Sequence, residues 1–307
     1  MDVLVTGGAG FIGSHVVDTL VAHSHQVTVV DNLSTGKRAN LSAEVTLLEV
    51  DLRSDDLGAV FKRVRPQAVF HLAAQASVPN SVADPATDAE INVLGTINLL
   101  ERCREAGVRR VVYSSTGGAL YGEPEQSPCT EEHPVRPLSP YGISKYVAER
   151  YVEMYGRFHG LEYTILRYAN VYGPRQDPFG EAGVVAIFTQ RMVRGDEVVV
   201  FGDGTQERDF VYVEDVSRAN LLALERGAGQ AMNIGCGVGT SVNELLKSLR
   251  ESTGYEREPT YTEPRAGDVY RIALDASRAG RELGWEPKVS LKEGLRRTVA
   301  AIRGQSL

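Results

Sequence analysis

The sequence is poor in cysteine: Cys103, Cys129 and Cys236 are the three among 307 residues, and no two form a Cys-x-x-Cys pair. That count and spacing argue against a disulfide framework and a structural zinc site, and they accord with a reducing compartment. No metal site is expected. No apolar run approaches the roughly 20 residues that span a bilayer. Met1 leads almost directly into Val3-Leu4-Val5 with no basic segment or cleavage signal between them, so a cytoplasmic protein without a membrane partner is expected. Positive charge is not in excess either. The formal net charge is −7 and the pI about 5.5, which leaves no electrostatic footprint for nucleic acid. Internal repeats and low-complexity tracts are missing as well.

What remains is a globular composition, 42% hydrophobic and 24% charged, long enough to bury a sizeable core. Short β-branched runs near 2–6, 26–31, 45–50, 67–72, 109–114, 161–167 and 231–235 alternate with helical patterns near 11–23, 54–64, 91–106 and 140–157. This alternation predicts an α/β fold, a doubly wound Rossmann-type parallel sheet with helices on both faces. After about residue 170 the rhythm changes, and the Gly-, Asp- and Arg-rich segment 173–210 carries only short strand signals. The expected organisation is therefore a dinucleotide-binding domain over 1–172 and a smaller substrate-binding domain over most of 173–307. The second is discontinuous, because the strand near 231–235 returns to the main sheet.

The first strand runs into Thr6-Gly7-Gly8-Ala9-Gly10-Phe11-Ile12-Gly13, which opens a helix. Glycines here permit a tight turn, close approach of backbone to a pyrophosphate and close packing of helix on strand. The helix N-terminus adds free N–H groups and partial positive charge. A lone G-x-G-x-x-G is weak evidence, but its place between strand and helix at the start of the chain strengthens it. Gly7, Gly10, Phe11, Ile12 and Gly13 are the expected contacts. Asp31 ends the second strand, where a carboxylate accepts hydrogen bonds from the adenosine ribose and repels a 2′-phosphate. That favours NAD over NADP, although Lys37 and Arg38 follow closely enough to meet a phosphate. Asp51, with Leu52, ends the third strand. Its carboxylate can face the adenine edge or cap the next helix, and the pattern leaves both readings open.

Further on, Ser139-Pro140 marks a helix start, with an N-cap serine and a proline in the first turn. Tyr141 and Lys145 follow on one face of that helix. A tyrosine of ordinary pKa, about 10, is a poor base at neutral pH. A nearby lysine ammonium and a positively charged nicotinamide favour the phenolate. It can then take a proton from a sugar hydroxyl while hydride leaves the same carbon.

These motifs, with His71-Leu72-Ala73-Ala74, Asn92, Ser114-Ser115-Thr116, the run Arg167 to Pro174, the run Gly202 to Phe210, Arg265-Ala266-Gly267-Asp268 and Glu282-Leu283-Gly284-Trp285, resemble the nucleotide-sugar branch of the extended short-chain dehydrogenase/reductase family. The resemblance spans nearly the whole chain in the family's order. It implies further cofactor contacts from Asn32, Leu72, Ala73, Ala74, Asn92, Ser114 and Tyr168, beside Tyr141 and Lys145. Thr116 falls where the family places a hydroxyl that bonds the reacting sugar, with Ser114 and Ser115 close enough in register to compete. Arg208 and Arg265 match positions that clamp a pyrophosphate. Asn170 matches a phosphate contact, Asp268 a ribose contact, and Ile272 falls near the gate beside the sugar's C2 substituent. A homodimer is implied too, through the helices near 91–106 and 140–157, whose apolar residues include Ile97, Leu99, Leu100, Val147, Val152 and Met154.

The same scaffold supports several reactions. Dehydration needs an acid and a base beside the reacting hydroxyl, yet Thr116 is followed by Gly117 and Gly118. A 4-epimerase needs only the proton relay, a firmly held NAD and room for a 4-keto sugar to turn over. The expectation is interconversion of UDP-glucose and UDP-galactose. The rivals are 4-epimerases of UDP-N-acetylglucosamine or UDP-glucuronate and a UDP-glucuronate decarboxylase.

Overall fold

The computed structural model describes residues 1–178, 183–264 and 269–305. Strands β1 (Asp2–Thr6), β2 (Gln26–Asp31), β3 (Thr46–Glu49), β4 (Ala68–His71), β5 (Arg110–Thr116) and β6 (Glu162–Tyr168) come first. They are followed by β7 (Asn170–Tyr172), β8 (Val199–Phe201), β9 (Glu207–Tyr212) and β10 (Gln230–Ile234), then by β11 (Gly239–Ser241), β12 (Thr260–Thr262) and β13 (Arg271–Ile272). Seven of these form one parallel sheet in the order β10-β6-β5-β4-β1-β2-β3. Strand order reverses between β1 and β4, and the crevice beyond their carboxyl ends is where doubly wound sheets bind ligands. The expected return of the strand near 231–235 is met: β10 pairs parallel with β6, with Ile234 opposite Tyr168.

Helices cover both faces, as a parallel sheet with strands as apolar as Val3-Leu4-Val5 requires. On one side α1 (Phe11–Ala22) lies with a later helix over Val213–Ala223, joining Val16, Val17 and Leu20 to Val216, Ala219 and Ala223. On the other side α2 (Asp56–Val64) precedes two short helices, α3 (Val78–Ala83) and α4 (Pro85–Ala89), and two long ones, α5 (Gly95–Ala106) and α6 (Pro140–His159). There Leu57, Phe61, Leu99, Leu100, Ala148 and Val152 form the second buried cluster. The helix expected over 91–106 opens with a π turn, Glu90–Leu94. Leu99, Leu100 and Val152, expected to mark a dimer face, are instead fully buried within the protomer's own core.

Beyond the sheet, α7 (Val184–Arg194), α8 (Val213–Ala223), α9 (Val242–Thr253), α10 (Ser277–Leu283) and α11 (Leu291–Gln305) complete the helices. A third cluster ties α7, α9 and α11 to the strands around β9 through Phe188, Met192, Leu245, Leu249, Leu295 and Val299. Asp209 staples this part to the sheet's end. Its buried carboxylate accepts the N–H groups of Cys236 (2.8 Å), Gly237 (3.0 Å) and Leu274 (3.1 Å). Gly235 has to be glycine, because a Cβ there would lie 2.5 Å from that carboxylate. Among the described residues no helix is long and apolar enough to cross a membrane.

Candidate active site

At the carboxyl end of β1, Gly7 takes a left-handed conformation (φ 69°). A Cβ on it would sit 2.5 Å from the Ala73 nitrogen, and one on Gly13 would sit 2.1 Å from the Gly7 oxygen. Side chains at these two places would fill the space between the turn, α1 and the end of β4. Gly10 is the N-cap of α1 and offers no side chain there, which leaves the first N–H groups of a helix begun by Phe11 and Ile12 open to an anion.

The Asp31 carboxylate lies beside the turn and accepts N–H bonds from Ala9 and Leu33, each at 2.9 Å. Burial raises its pKa above the ordinary value, and the two backbone donors oppose the shift. Lys37 is paired with Asp177 at 2.9 Å, and the Arg38 guanidinium donates to the carbonyls of Ser42, Ala43 and Val45. Both cations within sequence reach of a 2′-phosphate are thus engaged elsewhere. A buried carboxylate beside a side-chain-free turn at a helix N-terminus fits NAD.

Asp51 accepts a hydrogen bond from Asn32 at 2.9 Å. Arg53 grips it through side chain and backbone, chiefly by the side-chain bonds, and holds its carboxyl well below the usual range. The helix-cap reading fails, because the N-cap of α2 is Asp55 and Asp51 instead closes a turn onto the Arg53 N–H at 2.8 Å. Leu52 is buried. Leu72 and Ala73 meet Thr6, through its carbonyl at 3.1 Å and its hydroxyl at 3.4 Å respectively, and Ala74 follows half-buried.

Helix α6 starts as the sequence predicts, with Ser139 Oγ accepting the Gly142 N–H at 3.2 Å and Pro140 in the first turn. Tyr141 is half-buried. Lys145, one turn on, is 4% exposed, with its Nζ 4.4 Å from the centre of the Tyr113 ring. Burial pushes Lys145 down to about 7, against the pull of Glu149 and Asp88.

The helix start is tied back to the turn by a chain of buried hydrogen bonds. Ser144 Oγ donates to the Tyr141 carbonyl (3.1 Å) and accepts from Asn92 Nδ2 (3.0 Å). Thr96 donates to the Asn92 carbonyl at 2.6 Å. Its hydroxyl hydrogen is then spent, so His71 Nε2–H is the donor across the 2.9 Å contact to Thr96. His71 Nδ1 therefore accepts from Thr6 Oγ1 at 2.8 Å. Burial, followed by the charge of Lys145, takes His71 down to about 3, which keeps the ring neutral.

Three hydroxyls stand at the end of β5. Ser114 is buried and bonded to the Tyr168 hydroxyl at 2.9 Å, which also accepts from Asn220 at 2.7 Å. Burial pushes Tyr168 up to about 12. Ser115 Oγ is buried and has no hydrogen-bond partner among the described residues. Thr116 is the one not fully buried. A Cβ on Gly118 would lie 3.9 Å from Thr116 Oγ1 and 3.4 Å from Asn170 Oδ1, so that glycine keeps open a space both side chains border.

On the far side, Arg208 Nη1 donates to the carbonyls of Glu207 (2.9 Å) and Tyr270 (3.4 Å). Ile272 stands opposite Arg208 in the β13–β9 ladder, but its side chain is packed in the principal core. Arg265 and Asp268 lie outside the described residues. Sequence reasoning missed Ser144, Tyr113, Asp88 and Glu149 as parts of this site. Of these, Ser144, Asp88 and Glu149 carried a local signal, one helical turn from Tyr141, Asn92 and Lys145 respectively; Tyr113 carried none. Glu149 is fully buried and accepts both Arg167 Nε (3.0 Å) and Nη2 (2.7 Å).

Comparison with known proteins agrees with this geometry. Residues 3–235 match the model of the NAD dependent epimerase/dehydratase family. The chain is 46% identical over 312 residues to a UDP-glucose 4-epimerase of Mycolicibacterium smegmatis, covering 100% of each. It is similar to the Thermotoga maritima UDP-glucose 4-epimerase crystallised with UDP-glucose, at a TM-score of 0.99 and 55% identity over 100% of each chain. It also resembles the Thermus thermophilus UDP-glucose 4-epimerase in complex with NAD, at 0.94 and 48% over 99% of each. With the family match covering most of its length, and a glycine turn, buried Asp31 and Tyr141–Lys145 helix in place, the chain belongs to the NAD-dependent epimerase/dehydratase family.

Proposed function

We propose that this protein is a UDP-glucose 4-epimerase that interconverts UDP-glucose and UDP-galactose by transient oxidation at C4. The observation that carries the reading is the end-to-end likeness to an epimerase solved with UDP-glucose. The turn Gly7 to Gly13, Asp31 and Asn32 hold NAD, with Asp51, Leu52, Leu72, Ala73, Ala74, Asn92, Ser114 and Tyr168 around it. NAD held there would supply the acceptor and donor of hydride for C4. Tyr141 takes the proton of the C4 hydroxyl, Lys145 favours the phenolate, and Thr116 orients the hydroxyl. Asn170 and Arg208, with Arg265 and Asp268, hold the nucleoside diphosphate. Gly117 and Gly118 offer no acid or base, so water is not eliminated.

Residues 1–172 with β10 serve the dinucleotide and most of 173–307 the sugar nucleotide. The protein works in the cytoplasm as a homodimer. Support for a dimer comes from α6, where Ile143, Val147, Tyr151, Met154 and Phe158 form a stripe left partly or wholly exposed, near an exposed Leu94. Incubation with UDP-glucose, UDP-N-acetylglucosamine and UDP-glucuronate, followed by proton NMR, tests the assignment. UDP-galactose should form fastest, whereas a pentose product or preferential turnover of the other two substrates would refute it.

A further inference from the structure

Lys145 is the buried cation of the site, and helical spacing names Glu149 as its counter-charge. Glu149, however, gives both oxygens to Arg167 at 3.0 and 2.7 Å, so its charge is already balanced by a partner. A second buried carboxylate is not so balanced. Asp88, on α4 where that helix packs against α6, is 1% exposed. Its Oδ1 accepts from Gln75 Nε2 (2.7 Å) and Asn92 Nδ2 (3.1 Å). Its Oδ2 is buried with no hydrogen-bond partner among the described residues. An ionised carboxylate withdrawn from water in this way needs a cation nearby. The other groups around Lys145 cannot act as one or replace it: Tyr113 offers a ring, Tyr141 a phenol, and His71 a ring kept neutral.

We propose that Asp88 is a second counter-charge of Lys145, beside Glu149, and, through Asn92 and Ser144, a positioning residue for the start of α6. The same carboxylate thus performs two tasks. Its Oδ1 and the Gln75 carbonyl (2.9 Å) share one hydrogen of the Asn92 amide, and the other holds the Ser144 hydroxyl that bonds the Tyr141 carbonyl. Desolvation drives the Lys145 proton off; Glu149 first, and then the negative charge of Asp88, keep it on. The sign follows directly. Removing the charge lowers the pH at which Lys145 loses its proton, so the ammonium that favours the Tyr141 phenolate is lost earlier on the alkaline side.

The proposal rests on the epimerase reading for Lys145's use, but the readout that decides it, the Lys145 titration, needs no turnover. The chain has six lysines, so protein grown on lysine labelled with carbon-13 at Cε gives few NMR signals, and Lys145→Met assigns the one of interest. In Asp88→Asn, which keeps size and one acceptor, the Lys145 titration midpoint should fall by about one unit, the lower end for loss of a nearby opposite charge. The alkaline limb of the kcat–pH profile should move the same way. Ser144→Ala removes the bonding link but not the charge, so it should leave the midpoint in place while lowering kcat. A midpoint unchanged in folded Asp88→Asn, or one shifted equally by Ser144→Ala, would overturn the proposal. If Asp88→Asn does not fold, Asp88→Ser is read by the same criterion. Failure of the epimerase assignment would appear separately, in the sugar products.

Discussion

Tyr141 and Lys145 share a helix face but not an environment: the tyrosine is half-open to the crevice, whereas the lysine is buried over the Tyr113 ring. The phenol is therefore accessible while the ammonium lies inside the protein, the placement that the proposed mechanism requires. Tyr141→Phe should keep fold and NAD content but lower epimer formation from UDP-galactose by roughly a hundred- to ten-thousand-fold, the range for general acid–base catalysis. Thr116→Val should lose less, since a water can partly replace one hydroxyl. A Tyr141→Phe enzyme of near wild-type rate would end this mechanism. At this scale the sequence is readable where contacts are local. Tyr141, Lys145 and the Gly7 to Gly13 turn are set by spacing within one element. Asp88 is only partly readable that way: Asn92 lies one turn on, but Gln75 and Lys145 belong to other segments.

Among the elements, α6 concentrates the most chemistry, and its middle is anchored by a buried ion pair between Glu149 and Arg167 of β6. Arg167 also donates to the Tyr121 hydroxyl at 3.0 Å. Breaking one partner of such a pair leaves the other charged and dry, which typically costs about 3–5 kcal/mol. Glu149→Gln should therefore lower the midpoint of urea unfolding far more than removal of the half-buried Glu153, whose ion pair with Arg150 is partly solvated. Equal midpoints would show that Arg167 finds another partner. The seven sheet strands lie within about two residues of where β-branched runs place them. Helices α7, α9 and α11 are harder to read because they pack chiefly on one another, and the strand–helix rhythm that guides the first half stops there. One signal was present: Ser241-Val242-Asn243-Glu244 forms a full capping box at the head of α9.

The whole molecule leaves an apolar stripe on α6 incompletely covered, with Phe158 67% exposed. If a second copy covers it, static light scattering at micromolar concentration should give twice the chain mass, and Phe158→Glu together with Leu94→Glu should halve it. A wild-type monomer would refute the dimer and leave the stripe unexplained. Another whole-chain property follows from the sheet. Strand β10 has β6 as its neighbour there, yet residues 169–229 separate the two in the chain. While a ribosome makes that stretch, at about 5–20 residues per second, β6 waits with one backbone edge unpaired for roughly 3–12 seconds. Vulnerability to aggregation is therefore greatest in the nascent protein, and the length of the segment between the two strands sets how long it lasts.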